Sequence, residues 1–257
     1  MEFREEESVQ RIAALLTKAR HAIAFTGAGI STASGIPDFR SRESGLWEKS
    51  DPQAVASLYG FRQDPGAFYQ WVRPLAKLTL SAQPNPAHIA LTQMETCGYL
   101  KAVVTQNIDM LHTKAGSKTV YELHGHLREV TCTHCFLVRP ADAVIPQFLE
   151  DGLVPHCPRC GGVFKPNVIL FGEQLPVREL TGAREAMRQA DVILIVGSSL
   201  EVAPASDLPM LAARHGAALV IINLEPTPAD HLAQVVMREE AAVVLPQIAR
   251  EMGIAHD

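Results

Sequence analysis

The stretch from residue 22 to residue 41 constrains the fold more than any other part of the chain. It begins with the apolar run Ala22–Phe25 and then breaks into glycines and hydroxyl side chains, which predicts a buried parallel strand entering a turn. Gly27 and Gly29 would let the backbone approach a diphosphate, and free N–H groups at a helix start would favour its negative charge. Because Thr32 occupies the third position of the G-x-G-x-x-G pattern, the turn equally fits an ordinary strand-to-helix connection.

Beyond this turn, Pro37, Phe39 and Arg40 lie where a loop could fold over a bound ligand. The planar guanidinium of Arg40 suits a diphosphate, and Phe39 could shield a reactive sugar from water. Taken singly, Phe39 fits a core residue and Arg40 fits a solvated surface charge. The stretch by itself therefore leaves a nucleotide site open.

Composition narrows the classes of protein to consider. The chain has 257 residues, 47% hydrophobic and 20% charged, which suits one globular unit or one large domain with a small insert. The formal net charge of -5 argues against nucleic-acid binding, which normally needs a strongly basic face. No apolar run is long enough to span a bilayer and the acidic N-terminus lacks a signal-peptide core, so we predict a cytoplasmic protein without a membrane partner.

Hydrophobic periodicity predicts alternating helices and strands. An amphipathic helix over Glu5–Arg20 precedes the first strand, and a helix over Asn85–Thr96, with His88 as a structural residue, precedes the second. The residues between these two strands far outnumber a minimal crossover, so they are interpreted as an insert of short helices. Further predicted elements are strands at Leu100–Thr105, Asp191–Val196 and Ala218–Ile222, helices at Thr181–Ala190 and Ser206–His215, and a short edge strand with a closing helix around Val243, Val244 and Leu245.

Polar residues follow several of the predicted strands. They are Thr105, Gln106, Asn107 and Asp109 after the second strand, and Gly197, Ser198, Ser199 and Asn223 after two later strands. The carboxyl ends of parallel strands are where an open α/β sheet presents its ligand-binding groups. This rule favours a binding function over the alternative, in which the polar residues simply form turns.

Four of the five cysteines form the pairs Cys132-x-x-Cys135 and Cys157-x-x-Cys160. In a cytoplasmic protein, five cysteines indicate metal binding or reduced thiols rather than disulfides. Two such pairs complete a tetrahedral thiolate site without an open position, so we predict one structural zinc ion. Duplication disfavours a redox C-x-x-C, and the full set of four thiols disfavours ligation by His134 or His156. Cys97 is left over and is expected to be a buried apolar residue.

An ordered series of motifs covers essentially the whole chain. They are Gly27-Ala28-Gly29-Ile30-Ser31, Gly35-Ile36-Pro37-Asp38-Phe39-Arg40, Thr105-Gln106-Asn107-Ile108-Asp109 followed by Leu111-His112, then His124-Gly125, and Phe171-Gly172-Glu173. In these motifs and in its paired cysteines, the chain closely resembles the sirtuins, the NAD-dependent protein-lysine deacylases. The resemblance is to the bacterial and archaeal type of deacetylase.

This resemblance implies an α/β fold. We expect a Rossmann-like, mostly parallel sheet with helices on both faces, plus a small zinc-binding module and a helical insert. The expected NAD-binding domain is discontinuous and comprises residues 1–40, 78–125 and 165–257. Residues 41–77 would form the helical insert and cofactor loop, and residues 126–164 the zinc-ribbon module.

The resemblance also assigns roles to individual residues. His124 would be the catalytic base, because imidazole has a pKa of about 6.5 and can accept a hydroxyl proton at neutral pH, whereas nearby His126 would have no such role. Asn107 would act beside it in the nicotinamide pocket. The residues implied to hold the co-substrate NAD are Ala28, Thr32, Phe39, Arg40, Gln106, Ile108, Asp109, Gly197, Ser198, Ser199, Asn223 and Leu224. Acyl-lysine proteins would bind as an extended peptide by strand addition, at Ile169, Phe171, Gly172, Glu173 and Val202.

The implied reaction is deacetylation of lysine, with nicotinamide and 2′-O-acetyl-ADP-ribose as the other products. In the segment Tyr69-Gln70-Trp71-Val72, valine stands where sirtuins that remove succinyl or malonyl groups have an arginine, and Arg73 lies one position further. This difference favours neutral acyl groups. Two alternatives stay open: a mono-ADP-ribosyltransferase that uses the same NAD pocket, and a non-catalytic NAD-sensing or peptide-binding module.

Overall fold

A computed structural model describes residues 5–38 and 52–254 of the chain. Within this part, the largest element is a six-stranded sheet in the order β3-β2-β1-β7-β8-β9, with every adjacent pair parallel. A second, antiparallel sheet has the order β5-β4-β6. The strands are β1 (Ala22–Thr26), β2 (Leu100–Thr105), β3 (Val120–Glu122), β4 (Gly125–Cys132), β5 (Val138–Pro140), β6 (Phe164–Val168), β7 (Val192–Val196), β8 (Ala218–Ile222) and β9 (Ala233–Met237).

Helices cover both faces of the large sheet. The α-helices are α1 (Glu5–Lys18), α2 (Pro52–Val55), α3 (Leu58–Gln63), α4 (Pro65–Ser81), α5 (Pro86–Thr96), α6 (Leu111–Ala115), α7 (Ile145–Asp151), α8 (Val177–Gln189), α9 (Asp207–Arg214) and α10 (Ala241–Glu251). Side chains alternate along β1, so that Ala22 and Ala24 pack under α1, α5 and α10, whereas Ile23 and Phe25 pack under α8 and α9. The prediction of a Rossmann-like sheet with two helical layers is confirmed.

The structure corrects the prediction at the C-terminal end. Val243, Val244 and Leu245 lie in α10, and the edge strand is β9 instead. The apolar run is helical because Val244, Leu245 and Ile248 form one face that packs into the core with α1 and α5.

Two smaller expectations are also wrong. Cys97 is exposed, because it is the C-cap of α5 and its side chain does not enter the core. We also expected the apolar run after Phe164 to form one strand ending in the motif Phe171-Gly172-Glu173, but the strand ends at Val168. Its continuation is a turn, in which Glu173 N–H donates to the carbonyl of Leu170 and Gly172 has a positive φ of 87°.

The helical insert and the cysteine-rich module pack around one shared core. Phe61, Phe68 and Tyr69 of the insert contact a cluster that includes Phe148 and Phe164 of the module. The Tyr69 hydroxyl donates to the Phe164 carbonyl over 2.6 Å. Their packing therefore joins two segments that were predicted as separate units, while the domain boundaries themselves stay a prediction.

Glycines allow the loops after β1 and β7 to touch. A Cβ atom on Gly27 would lie 2.7 Å from the carbonyl oxygen of Gly197, and a Cβ on Gly29 would lie 2.8 Å from the Gly197 Cα. Gly197 itself has a φ of 60°, and a Cβ there would lie 2.2 Å from the Ile30 nitrogen. The glycine pattern that suggested room for a diphosphate thus also serves backbone packing between two strand-end loops.

We expect Gly197→Ala to be much more destabilising than Gly98→Ala. Both positions have positive φ, which costs a non-glycine residue roughly 1–2 kcal/mol, but a Cβ at Gly98 meets nothing within 4 Å. Because of the additional clash, Gly197→Ala should lower the melting temperature at least twice as much as the control, Gly98→Ala. Thermal denaturation of both variants measures this difference. Equal losses would show that the two loops separate without cost.

Candidate active site

Hydrogen bonds connect each loop at the carboxyl edge of the large sheet to the end of the neighbouring strand. Gln106 N–H donates to the last residue of β1, Gly27 N–H to the last residue of β7, and Gly197 N–H to the last residue of β8. The Gln106 side chain also donates to the Ser198 hydroxyl over 2.8 Å. The polar residues that the sequence placed after separate strands are therefore brought to one edge.

A buried polar network lies at the centre of this edge. The Asn107 amide donates to the Gly27 carbonyl over 3.1 Å and to the Ser31 hydroxyl over 3.2 Å. Ser31 in turn donates to Asp109 over 2.7 Å, and the other Asp109 oxygen accepts the Leu111 N–H over 2.9 Å. Both Asn107 donors are used, and among the described residues no hydrogen bond reaches its carbonyl oxygen, which can therefore accept from a ligand.

Ser31 is a member of this network that the sequence-based site did not include. It lies within a short 3-10 helix, Ala28–Ser34, and is completely buried. The local signal was weak, since a hydroxyl two residues after a glycine is common in turns. Its contacts with Asn107 and Asp109 arise only when the 3-10 helix packs beside the end of β2.

His124 is positioned by the backbone of the same edge. Its Nδ1 lies 2.9 Å from the Gln106 carbonyl, and a carbonyl only accepts, so Nδ1 carries the ring proton. Nε2 is then the basic atom. Burial lowers the pKa of His124 from about 6.5, partly opposed by the Gln106 hydrogen bond, so the ring is neutral at physiological pH.

Gly125 accounts for the fixed direction of the chain after His124. Its φ is 76°, and a Cβ there would lie 2.0 Å from the Asn167 carbonyl oxygen on β6. Glycine is thus the residue that allows β4 to start in close pairing with β6. His126, two residues on, is half-buried beside Arg128, and burial together with that positive charge lowers its pKa.

The other predicted NAD residues lie around the edge with varied exposure. Thr32 is exposed and donates to the Gly29 carbonyl over 3.0 Å, and the Asn223 amide donates to the Glu225 carbonyl over 2.7 Å. Leu224 is exposed, whereas Ile108 packs against the shared core of the insert and the cysteine-rich module. Ala28, Gly197, Ser198 and Ser199 belong to the two touching loops. Phe39 and Arg40 lie outside the described residues.

The predicted peptide-binding segment is already paired along part of its backbone. Ile169 N–H donates to the His124 carbonyl, and Phe171 exchanges hydrogen bonds with Ala56 and Leu58. Glu173 accepts the Leu170 N–H over 2.8 Å and pairs with Lys165 over 3.0 Å. Gly172 is exposed, and within residues 5–38 and 52–254 its N–H and carbonyl have no hydrogen bond.

Val202 lies on the loop after β7, in a part of the chain separate from the Ile169–Glu173 segment. It is half-buried, and its carbonyl accepts the Ser206 N–H over 3.0 Å. Among the described residues of this predicted peptide site, Gly172 is exposed and has neither its N–H nor its carbonyl in a hydrogen bond.

The four paired cysteines form one cluster in which every pair of Sγ atoms is within 4.8 Å. The Sγ atoms of Cys132 and Cys160 are 3.5 Å apart, and those of Cys135 and Cys157 are 3.7 Å apart. Four sulfurs at about 2.3 Å from a zinc ion would be separated by about 3.8 Å, so this donor set fits tetrahedral zinc. Backbone N–H groups, first that of Cys135, lower the pKa of Cys132 to about 6, which favours the thiolate.

Comparison with known proteins decides the family. A profile of the Sir2 family matches residues 27–204, which is more than half of the chain. The chain belongs to the Sir2 family. It is 46% identical over 248 residues to NAD-dependent protein deacylase 2 of Archaeoglobus fulgidus, a match that covers 96% of this chain and 97% of the relative. It is also 46% identical to the NAD-dependent protein deacetylase of Caldivirga maquilingensis, covering 96% of this chain and 94% of that protein.

Solved Sir2 structures agree with this assignment. One from work on the mechanism and regulation of Sir2 enzymes matches with a TM-score of 0.92 at 44% identity, covering 96% of this chain and 98% of that chain. A Sir2 complex with a p53 peptide and NAD+ matches with a TM-score of 0.88 at 39% identity, covering 95% and 98%. A Sir2 structure bound to a propionylated peptide matches with a TM-score of 0.87 at 38% identity, covering 96% and 99%.

These findings confirm the predicted family, fold and cofactor class, including a four-cysteine site for one structural metal ion. The individual contacts to NAD and peptide stay predictions. None of the helices in the described residues is both long enough and apolar enough to cross a membrane.

Proposed function

We propose that this protein removes acetyl groups from lysine side chains of proteins and forms nicotinamide and 2′-O-acetyl-ADP-ribose. In its broader class it is a Sir2-family NAD-dependent protein deacylase. The observation that carries the proposal is that one edge of the sheet holds both a neutral, oriented His124 and the buried network of Asn107, Ser31 and Asp109. A base and an amide acceptor at one sheet edge are what this chemistry needs.

Each of these groups has a distinct part in the proposal. Asn107, Ile108 and Asp109 line the nicotinamide pocket, and the free Asn107 carbonyl oxygen accepts a hydrogen bond from the ligand. His124 Nε2 removes a proton from a ribose hydroxyl, and the resulting imidazolium keeps its Nδ1–H on the Gln106 carbonyl. NAD, when bound, supplies the ribose carbon that receives the acyl oxygen.

The remaining predicted contacts complete the NAD site in this proposal. The residues concerned are Ala28, Thr32, Phe39, Arg40, Gln106, Gly197, Ser198, Ser199, Asn223 and Leu224. Five of them, Ala28, Gln106, Gly197, Ser198 and Ser199, belong to loops that the hydrogen bonds along the sheet edge hold together. We assign closure over the reacting groups to Phe39 and binding of the diphosphate to Arg40.

We assign the substrate peptide to a position between the Ile169–Glu173 segment and the loop that carries Val202. The free N–H and carbonyl of Gly172 would provide the main-chain hydrogen bonds of strand addition, and these bonds accept many peptide sequences. Ile169 and Phe171 would contact the acyl-lysine side chain. A solved Sir2 relative holds a p53 peptide with NAD+, which supports a peptide substrate. A cytoplasmic location and the lack of a nucleic-acid partner stay predictions.

Acyl preference follows from the α4 residues. Val72 occupies the position of the arginine that would meet an acyl carboxylate, and it is buried in the shared core. Arg73 is committed elsewhere, since its Nη2 donates to the carbonyls of Leu149 and Glu150 at the end of α7, both over 2.8 Å. The Tyr69 hydroxyl already donates a hydrogen bond to the Phe164 carbonyl. Neither Val72 nor Arg73 can therefore pair with an acidic acyl group.

We expect the protein to prefer an acetylated over a succinylated lysine peptide by at least about tenfold in kcat/KM. A buried polar group without a partner costs about 1–3 kcal/mol and a charged carboxylate costs more, whereas about 1.4 kcal/mol is enough for a tenfold ratio. Val72→Arg should narrow the ratio, while Val72→Met, which adds size without charge, should not. Competition between the two peptides in one mixture gives the ratio directly, and equal rates for wild type would contradict the expectation.

The rate should fall on the acid side of neutrality with a midpoint below pH 6.5. Burial lowers the pKa of His124, so the neutral, active form persists below the usual histidine range and is lost as pH falls through the lowered pKa. The measurement is kcat/KM against pH, with circular dichroism at each pH to exclude unfolding. A midpoint above pH 6.5 would contradict the assigned base.

The proposed function is tested with an acetyl-lysine peptide incubated with and without NAD. Loss of the acetyl mass only with NAD, with an equal amount of nicotinamide and an acetyl-ADP-ribose product, is the expected result. If the acetyl mass stays and a protein gains ADP-ribose, the protein is a transferase. NAD binding without any turnover would instead identify a sensing or peptide-binding module.

A further inference from the structure

A chain of buried hydrogen bonds runs behind the Gln106–Asn107 turn and reaches His112 on α6. Thr26 Oγ1 donates to Thr105 Oγ1 over 2.8 Å, and Thr105 Oγ1 also accepts the Asn107 N–H over 3.0 Å. His112 Nε2 lies 2.9 Å from Thr26 Oγ1. Thr26, Thr105 and His112 are each at most 2% exposed, so water does not compete for these bonds.

The direction of these bonds defines the tautomer of His112. Because Thr26 gives its single hydroxyl proton to Thr105, its oxygen can only accept from His112, and Nε2 of His112 carries the ring proton. Burial lowers the pKa of His112 well below its usual value, which keeps the ring neutral and leaves Nδ1 unprotonated. Among the described residues, this buried Nδ1 has no hydrogen-bond partner.

His88 on α5 packs next to the ring of His112. The two ring centroids are 4.9 Å apart. His88 Nδ1 accepts the Asn85 N–H over 3.4 Å in the cap of α5, so its proton is on Nε2, which is also buried without a partner in the described chain. Among the described residues the two rings share no hydrogen bond, so the contact with Thr26 alone defines the tautomer of His112.

The turn held by this chain carries two groups of the proposed active site. Gln106 N–H donates to the Thr26 carbonyl, and the Gln106 carbonyl fixes His124 Nδ1 over 2.9 Å. Asn107 follows directly, with its N–H on Thr105. Thr105 thus holds the Asn107 backbone through its hydroxyl, and Thr26, the hydroxyl partner of Thr105, holds Gln106 through its backbone carbonyl.

We propose that His112 is a positioning residue for catalysis. Its neutral Nε2–H holds the Thr26–Thr105 pair, which in turn presents Asn107 to nicotinamide and the Gln106 carbonyl to His124. A displacement of about 1 Å in such groups can reduce a rate roughly 100-fold, so a residue that touches no substrate can still control turnover. The kinetic consequence rests on the proposed function, whereas the consequence for NAD binding does not.

The test uses three variants of His112 in the full-length protein. Glutamine places an amide nitrogen near the position of Nε2, asparagine places one near Nδ1, and leucine has no donor. We expect His112→Leu and His112→Asn to lower kcat by about 10- to 100-fold with little change in peptide KM, and His112→Gln to stay within about fivefold of wild type. Met94→Ala, a buried substitution on α5 outside this chain of bonds, controls for lost stability. It should lower the melting temperature without changing kcat.

Two outcomes would overturn the proposal. One is a folded His112→Leu protein with the kcat of wild type, and the other is equal kcat for the glutamine and asparagine variants. NAD affinity, measured by calorimetry on the same proteins, separates this test from that of the proposed function. If wild type does not turn over any acyl peptide, weaker NAD binding in the asparagine than in the glutamine variant still supports positioning, and equal binding overturns it. If the leucine variant does not fold, the comparison of the glutamine and asparagine variants still tests the proposal.

Discussion

His124→Ala is expected to lower kcat/KM for an acetyl-lysine peptide by about 100- to 10,000-fold, the range for loss of a general base. The His124 ring is oriented by the Gln106 carbonyl, and burial keeps its Nε2 unprotonated. Alanine removes the base while leaving the Asn107, Ser31 and Asp109 network in place. NAD affinity should therefore change by less than about tenfold, since the ring contributes to proton transfer more than to binding.

His126→Ala is the matched control for this prediction. His126 is also a half-buried histidine with a lowered pKa, only two residues away, but its surroundings are Arg128, Glu122 and Glu129 and not the sheet edge. Its removal should leave kcat/KM within about threefold of wild type, because it makes no contact with the reacting groups. If the two variants were equally impaired, the loss would come from the β3–β4 connection and not from a missing base.

The positions of the four central strands of the large sheet could be read from the sequence because each is a short, mostly buried apolar run. β2 was predicted as Leu100–Thr105 and β8 as Ala218–Ile222, both with the observed bounds. Periodicity failed at the C-terminus, where Val243, Val244 and Leu245 are adjacent apolar residues of a helix. A run of three residues fits either period, and only the packing of α10 on α1 and α5 decides between them.

In the candidate site, too, some residues could be predicted from the sequence and others could not. His124, Asn107 and Asp109 follow strands or belong to family motifs, so the sequence analysis includes them in the predicted site. Ser31 was missed, because its value lies in contacts with residues 76 and 78 positions away. The common core of the insert and the cysteine-rich module was missed for the same reason, since Tyr69 and Phe164 are 95 positions apart. Local patterns do not contain such pairings.

Removal of the metal is expected to unfold the cysteine-rich module and to loosen the helical insert with it. Cys132 and Cys157 are buried in the core that also holds Phe61, Phe68 and Tyr69, so the metal site and the insert depend on the same packing. Structural zinc contributes apparent binding free energies of about 10–16 kcal/mol in small zinc domains, compared with about 5–15 kcal/mol for the whole stability of a typical protein. Zinc binding is therefore large enough to determine whether this module is folded.

Cys160→Ala tests this dependence without removing a core side chain, because Cys160 is the exposed member of the cluster. Cys97→Ala is its matched control, an exposed thiol outside the cluster. We expect wild type and Cys97→Ala to contain one zinc ion per chain by elemental analysis, and Cys160→Ala to lose zinc and to melt at a clearly lower temperature. Deacetylation should fall with the zinc content, since the segment Ile169–Glu173, where we propose that the peptide binds, follows β6 of the small sheet and pairs through Phe171 with Ala56 and Leu58 of the insert. A Cys160→Ala protein that keeps its activity and melting temperature without zinc would show that packing around Tyr69 and Phe148 holds the module without the metal.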